Sequence, residues 1–588
     1  MANSVAEIRK VLTGDQESSH IAEMWTRYKD QMRTRIDLWN EQRNYIFATD
    51  TTTTTNSSLP WSNTTTLPKL CQIRDNLHSN YLSALFPNDN WMKWEAHSSD
   101  AAKISKANVI TNYMSNKVRG GKFRKEVSKL LYDYIDYGNA FVTAEFQAQI
   151  TGEGSEVVSQ FIGPKARRIS PLDVVFNPLA DEFESSWKII RSIVTLGELK
   201  VMAEDMPDNQ YLADILEKRK ELSKLSKYGG YSIEDWDKAS GFQVDGFGNM
   251  KEYYESSYVE ILEFWGDLHN TATGELERNM VMTVADRSMV LRKTKMPSYL
   301  KTAPIHHVGW RLRPDNLWAM GPLENLVGMQ YRIDHLENSS ADALDLAINP
   351  PIVISGEVEE FNYGPNSEIH IDEGGGVTEL GKNLGAVITA DNDIAGLERR
   401  MESFAGAPSE AMGIRTAGEK TAFEVQQLQN AAGRIFQEKI TSFETELLEP
   451  LLNSMLEVSV RNMQVVDVVR SVDTDSGVVE FQNITKEDLQ ANGVIRPVGA
   501  RHFAAQAQLM QNLTQLYSSP IGQMVAPHTS SKKMAEVVEN LLGLDRYDLF
   551  KSNIAIQEQQ ETQGMVNQAE EDLAVEAEVG LNNEEQLV

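Results

Sequence analysis

Thr421-Ala-Phe-Glu-Val-Gln-Gln-Leu-Gln-Asn-Ala-Ala-Gly-Arg-Ile-Phe-Gln-Glu-Lys-Ile-Thr-Ser-Phe-Glu-Thr-Glu-Leu-Leu-Glu449 contains no proline and a single glycine. Within and just beyond it, apolar residues recur at Val425, Leu428, Ala432, Phe436, Ile440, Phe443, Leu447 and Leu451. Steps of three and four place them on one face of a helix. At about 1.5 Å per residue such a helix would run roughly 43 Å, well beyond the usual length of about 11–12 residues. Its opposite face carries Glu424, Gln427, Arg434, Glu438, Lys439 and Glu446. A helix this long and two-sided either packs across one large globular core or stands as a stave between the subunits of a ring.

Working outward from it, the preceding stretch Ala405-Gly-Ala-Pro-Ser-Glu-Ala-Met-Gly-Ile-Arg-Thr-Ala-Gly-Glu419 is irregular, and Asp391–Phe404 before that reads as helix. Further back, Leu323, Leu326, Val327, Ile333, Leu336, Ala343, Leu344 and Ala347 give a helical stripe over 320–348, which Pro350-Pro351 terminates. Between these helices Ile352-Val-Ile-Ser355, Glu368-Ile-His-Ile371 and Gly374-Gly-Gly376 read as short strands and turns of a small module.

The string Gly413-Ile-Arg-Thr-Ala-Gly-Glu-Lys-Thr-Ala-Phe-Glu-Val-Gln426, followed by the amphipathic run ending Glu446-Leu-Leu-Glu-Pro-Leu-Leu452, resembles the portal (head-to-tail connector) proteins of tailed bacteriophages, the short-tailed ones in particular. The similarity is one of order and pattern over roughly residues 75–545. It implies an α+β, predominantly helical subunit with wing, stem, clip and crown regions. Mapped onto this chain, residues 1–69 are an N-terminal helical arm and Thr-rich linker, and 70–319 the wing. The first stem helix is 320–348, the clip 349–390, the second stem helix 391–404 and the tunnel loop 405–420. Residues 421–499 hold the long wing helix and a strand pair, 500–551 the crown-like helices, and 552–588 an acidic tail, disordered or barrel-like.

The length allows about three to four ordinary domains. With 56 basic and 85 acidic side chains the formal charge is −29, which argues against a general nucleic-acid-binding surface while leaving local basic patches open. Cys71 is the only cysteine, so no intrachain disulfide and no thiolate-rich zinc site is expected. The first residues lack an apolar signal core, and no stretch approaches the roughly 18 apolar residues of a membrane span. Soluble, intracellular assembly is the expectation.

Along the N-terminal part, Ile21, Met24, Trp25, Tyr28, Met32, Ile36 and Trp39 mark one face of a helix over 20–46. The β-branched polar runs Thr51–Ser58 and Asn63–Thr66 suit an exposed loop. Helices over 70–87 and 101–136, the second broken at Gly120-Gly121, precede strands at Phe141–Phe146, within Arg168–Ala180, at Tyr258–Phe264 and at Met280–Val290. A charged helix is expected near 209–227, and the strand pair within 464–482.

Three sets of residues are candidate contacts. Gly413-Ile-Arg-Thr-Ala-Gly-Glu-Lys-Thr421 differs by one residue from a nucleotide phosphate loop, but Glu419 stands where the lysine should follow the glycine, so nucleotide binding is not expected. By the resemblance, Ser409, Glu410, Met412, Arg415 and Lys420 would instead face a channel, where a ring of cations could touch phosphates weakly; pairing of Arg415 and Lys420 with Glu410, Glu419 or Glu424 is the alternative. Lys117, Arg119, Lys122, Arg124 and Lys125, with Lys129, form the best local phosphate-contact run, or else a solvated helix face, since no aromatics interleave. Glu357, Glu359, Glu360, Glu368 and Asp372 would lie on the clip, as an acidic adaptor-binding mouth or as an ordinary solvated surface. His306-His307 read as structural, because neighbours on a strand point to opposite faces. Asp173 reads as a turn residue.

No catalytic motif is present, so no enzyme activity and no cofactor or metal is expected. The resemblance implies a homo-oligomer of twelve copies at one capsid vertex, assembled in the host cytoplasm and carried in the virion. Double-stranded DNA would pass its channel, with no membrane involved. Its partners would be the major capsid and scaffolding proteins, the terminase large subunit transiently, and tail adaptor proteins. A virion or tail scaffold without a channel is the alternative role.

Overall fold

The computed structural model describes residues 10–13, 17–47, 62–87, 91–96, 101–151, 158–205, 258–270, 274–285, 287, 289–299, 302–348, 352–355, 375–379, 384–405, 435–463, 467–472, 479–489 and 493–497. The architecture is mixed helix and strand. The chain divides into two compact units, residues 1–467 with 484–500, and 468–483 with 501–588. The strand pair β15 (Asp467–Val472) and β16 (Val479–Ile484) belongs to the second unit except for its end residues Asp467 and Ile484.

The larger unit is built on two sheets. In one, β5 (Val174–Phe176), β6 (Lys188–Thr195), β7 (Tyr258–Asn270), β8 (Leu276–Ala285) and β9 (Met289–Lys295) follow one another antiparallel. One edge of β7 is shared: β6 occupies residues 258–265, and β1 (Lys10–Thr13) pairs parallel with residues 267–270. The other sheet is β10 (Ile305–Gly309), β3 (Asn139–Thr151) and β4 (Val158–Ile169), the last two forming a long hairpin. The single strand expected over Met280–Val290 is two, because the chain turns between Ala285 and Met289.

Helices α1 (Glu17–Gln31) and α2 (Arg33–Ile46) break at Met32. The stripe at helical spacing is the face they bury: Ile21, Trp25, Met32, Ile36 and Trp39 join Phe141, Val174, Phe176, Leu262, Phe264 and Trp318 in one core, with Met24 and Tyr28 against it. This pair is part of the body, not an arm beside it. Apolar burial at about 25 cal/mol per Å² makes two tryptophans and three aliphatic side chains a large share of that core's stabilisation.

Helix α3 (Lys69–Leu85) follows, then β2 (Met92–Ala96), which pairs with β17 (Gly493–Pro497) from the far end of the sequence. Helices α4 (Ala101–Gly120) and α5 (Phe123–Asp136) are separated at the expected glycines. Gly138, at φ +68, turns α5 into β3 against the backbone of Gly321, where a Cβ would not fit. Helix α6 (Leu196–Asp205) ends the described part of its region, so the helix expected near 209–227 lies outside the described residues.

Helix α7 (Val327–Ile348) and helix α8 (Leu384–Ala405) pack together. Between them β13 (Ile352–Ser355) and β14 (Gly376–Glu379) pair antiparallel, Ile352 opposite Glu379, so the helices lie as an antiparallel hairpin. Each has 22 residues, about 33 Å. Helix α8 starts at Leu384, seven residues before the expected Asp391. Gly385, Val387, Ile388 and Thr389 are weak helix formers, yet the helix runs through them with Gly385, Ile388 and Thr389 exposed.

Residues 435–462 form one helix, α9, closely packed on the β3–β4–β10 sheet. The sequence suggests an end near Leu452; the helix continues to Asn462. Pro450 cannot donate to the carbonyl one turn back and its ring crowds it. The π segment Phe443–Leu448, in which Glu449 N–H donates to Glu444 O, widens the turn before the proline and carries the helix through. Ile440, Phe443, Leu447 and Leu451 are buried as the periodicity requires and Phe436 is half-buried, while Val425, Leu428 and Ala432, with the rest of 421–434, lie outside the described residues. Helix α10 (Lys486–Leu489) is a single turn.

Candidate phosphate-contact site

The basic run lies where α4 ends and α5 begins. Gly121 N–H donates to Lys117 O at 2.8 Å, closing α4, and Lys122 takes the left-handed conformation at φ 55 to start α5. The ring of Phe161 on β4 sits so close to Gly120 and Gly121 that a Cβ at either would press on it. The turn is thus pinned by the hairpin, and its cations are presented from a fixed base.

The six side chains are not equivalent. Lys117 is half-buried, donates from Nζ to Ile162 O at 2.7 Å and lies 5.5 Å from the Tyr113 ring, so it ties α4 to the hairpin. Arg119 is exposed at the C-terminus of α4, where positive charge is favourable. Arg124 is exposed and lies over Phe86. Lys129 is paired with Glu126 at 2.7 Å. Lys122 and Lys125 are exposed with no side-chain hydrogen bond or ion pair among the described residues. Lys122, Lys125 and Lys129 share one face of α5 at steps of three and four. Six cations against Glu126 leave a local excess of about five positive charges, on a chain of −29.

Beyond Lys129 the same helix opens onto a cleft of about 250 Å³ lined by residues of α2, α3, α5 and Arg168. Arg74 forms a two-pronged pair with Asp136 at 2.7 and 2.8 Å, and its guanidinium lies 4.1 Å from the Tyr132 ring centroid and 5.4 Å from that of Phe47. Arg168 makes a second such pair with Asp133. Burial pushes Asp133 up to about 6, against the opposing hydrogen bonds and charge of Arg168. Burial raises Asp136 as well, with Arg74 opposing. Aromatic rings do therefore stand beside cations here, supplied by residues far apart in sequence. Their signal was two carboxylates, Asp133 and Asp136, three residues apart beside Leu130, Leu131, Tyr134 and Ile135, since carboxylates drawn into a core require buried partners.

The other candidates divide simply. Ser409, Glu410, Met412, Arg415 and Lys420 lie outside the described residues, as do Glu357, Glu359, Glu360, Glu368 and Asp372. His306 Nε2 is 2.8 Å from Ser454 Oγ, and His307 Nε2 is 3.1 Å from Asn139 Oδ1 with its ring stacked on Phe141. Burial holds His307 down to about 3, so it is a neutral structural residue. Asp173 ends the short 3-10 turn Pro171–Asp173, which Ser170 caps.

The α7–α8 hairpin leaves apolar side chains in water. Leu344, Leu346 and Ile348 on α7, Val353 and Ile354 on β13, and Ile388 and Phe404 on α8 are exposed, Ile348 by 72%, Ile388 by 65% and Phe404 by 62%. Among the described residues no helix is long and apolar enough to cross a membrane. No protein-family model and no curated protein matches the chain.

Proposed function

We propose that the chain is a portal protein, one of twelve subunits in a ring at a capsid vertex through which double-stranded DNA is packaged and ejected. The observation that carries this reading is the α7–α8 hairpin, tipped by a small strand pair and set between an α+β body and the long helix α9. That is the order of wing, stem, clip, stem and wing helix. The apolar side chains along the hairpin support it, because a row of such groups is stable when a neighbour covers it. The role is mechanical and electrostatic rather than enzymatic. The terminase and later the tail adaptors would dock at the clip, with the major capsid and scaffolding proteins around the body in the virion. Among the described residues of the basic run, Lys122 and Lys125 are exposed without an ion pair and so available to DNA, in contacts weak enough to be broken as the duplex moves.

Negative-stain electron microscopy of the purified chain, with class averages viewed down the particle axis, tests this. A ring with a hole wide enough for a duplex is the expected result. Solid particles without a hole at concentrations where the chain is fully assembled would favour a virion scaffold instead.

A further inference from the structure

The buried face of α7 is polar. Gln330, Asp334, Asn338 and Asp342, four residues apart, are all buried, the first three by 99% or more. What covers them is the stretch 62–70, non-helical to Pro68 and then the first residues of α3. Asn63 N–H donates to Asp342 Oδ1 at 2.7 Å, Thr65 N–H to Asn338 Oδ1 at 2.7 Å, Leu67 N–H to Asp334 Oδ1 at 3.0 Å, and Leu70 N–H to Gln330 Oε1 at 3.2 Å. The Asn63 side chain adds bonds to Asp342 and Asp345 at 2.9 Å, and Gln330 Nε2 donates to Leu67 O. Two residues of extended chain advance about 6.6–6.8 Å and four residues of helix about 6.0 Å, so the alternate amides of Asn63, Thr65 and Leu67 meet every fourth side chain of the helix, and Leu70, three residues on and already in α3, completes the row. Beyond the strap, Lys69 pairs with Glu402 of α8 at 2.7 Å, so the same stretch grips both helices.

Asp334 is the weak rung. Its Oδ1 accepts from Leu67 N–H and from Gln330 Nε2 at 2.8 Å, but its buried Oδ2 has no partner among the described residues. No cation among them compensates it. Of the charged groups on the packed elements, Lys69 is held by Glu402, Arg332 lies 3.9 Å from Asp393 of α8, and Arg35 of α2 lies 3.9 Å from Glu324. On its own helix Asp342 and Asp345 bind Asn63, His335 is exposed and stacked on Tyr331, and Glu337 is the charge that acts on it, with the same sign. Burial first, then Glu337, pushes the Asp334 carboxyl up to about 6, outweighing its two hydrogen bonds.

We propose that residues 62–70 are a proton-gated latch on the α7–α8 hairpin, closed while Asp334 is neutral and loosened when it ionises. The closed strap holds the proton more tightly than the open one. Closure is therefore at full strength below the ordinary carboxylate range and is lost as pH rises through about 6. A displacement from 3.8 to about 6 is about two decades, so the closing equilibrium falls up to about a hundredfold. The latch is independent of whether the hairpin lines a channel.

Hydrogen exchange by mass spectrometry on the full chain, following the peptide over 62–70 from pH 4 to 8 and corrected for intrinsic rates, tests it. Wild type is expected to lose up to about a hundredfold in protection across the window. Asp334→Asn, which keeps the accepting oxygen and cannot ionise, is expected to stay protected throughout. Glu337→Gln is expected to move the midpoint to lower pH. A flat wild-type profile, an unshifted midpoint in Glu337→Gln, or the wild-type slope persisting in Asp334→Asn would each overturn the proposal.

Discussion

Deleting residues 1–47 separates a helical arm from a structural part of the body. The deletion removes five buried side chains, Ile21, Trp25, Met32, Ile36 and Trp39, from a single core. At about 1.5–3 kcal/mol for each large apolar side chain withdrawn from water, the loss is about 8–15 kcal/mol, and it strips the cover from Val174, Phe176, Leu262 and Phe264 besides. Whole domains are stable by only about 5–15 kcal/mol, so the truncated chain should not form a cooperative native state. The assay is near-ultraviolet circular dichroism with thermal melting, backed by gel filtration. A graded version uses two residues of the same helix pair. Trp25→Ala, fully buried, should cost about 3–5 kcal/mol, whereas Leu38→Ala, 53% exposed, should fall within about 0.5 kcal/mol of wild type. A truncated protein that melts cooperatively within a few degrees of the full chain would refute the argument.

Three other outcomes are expected. Arg168→Met leaves the buried Asp133 carboxylate without its cation; the destabilisation should be about 3–5 kcal/mol at pH 8 and smaller at pH 5, where the raised carboxyl takes up a proton, as read from urea titrations at the two pH values. Lys122→Glu with Lys125→Glu should leave the melting temperature nearly unchanged while lowering duplex affinity and reducing its log–log salt slope by about one for each phosphate the protein no longer neutralises; an unchanged slope would remove the cluster from the DNA path. Gly138→Ala forces an L side chain into φ +68 and into the backbone of Gly321, so denaturant unfolding should show a destabilisation of at least about 1–2 kcal/mol; a neutral result would mean that the turn can move away.

Helices announced themselves where the apolar face is the buried one; the stripe expected over 320–348 is only partly so, since that helix starts at Val327, leaves Leu344 exposed and buries Gln330, Asp334, Asn338 and Asp342. The stripes at Ile21–Trp39 and Ile440–Leu451 are the buried faces in the structure, and the glycine pair 120–121 marks the break between α4 and α5. Periodicity suffices there because burial on one side leaves a repeat of 3.6 in the residues themselves. The early start of α8 and the passage of α9 through Pro450 escaped the same reasoning: the start of α8 is rich in weak helix formers, and a π turn carries α9 past its proline.

Polar contacts were out of reach for a different reason. Asn63–Thr66 reads as an exposed loop, and nothing in the residues singles out Asp334 among 85 acids. Only the fold brings an extended strap against a helix some 270 residues later and so makes a buried ladder of the two. The same holds for Arg74, Arg168, Phe47 and Tyr132 around one cleft. Which segments are amphipathic, and in what order they follow one another, can be read from the residues alone, because those properties reside in near neighbours. Which carboxylates lose their water is settled by the fold, because desolvation depends on what lies across the gap and not on what precedes or follows along the chain.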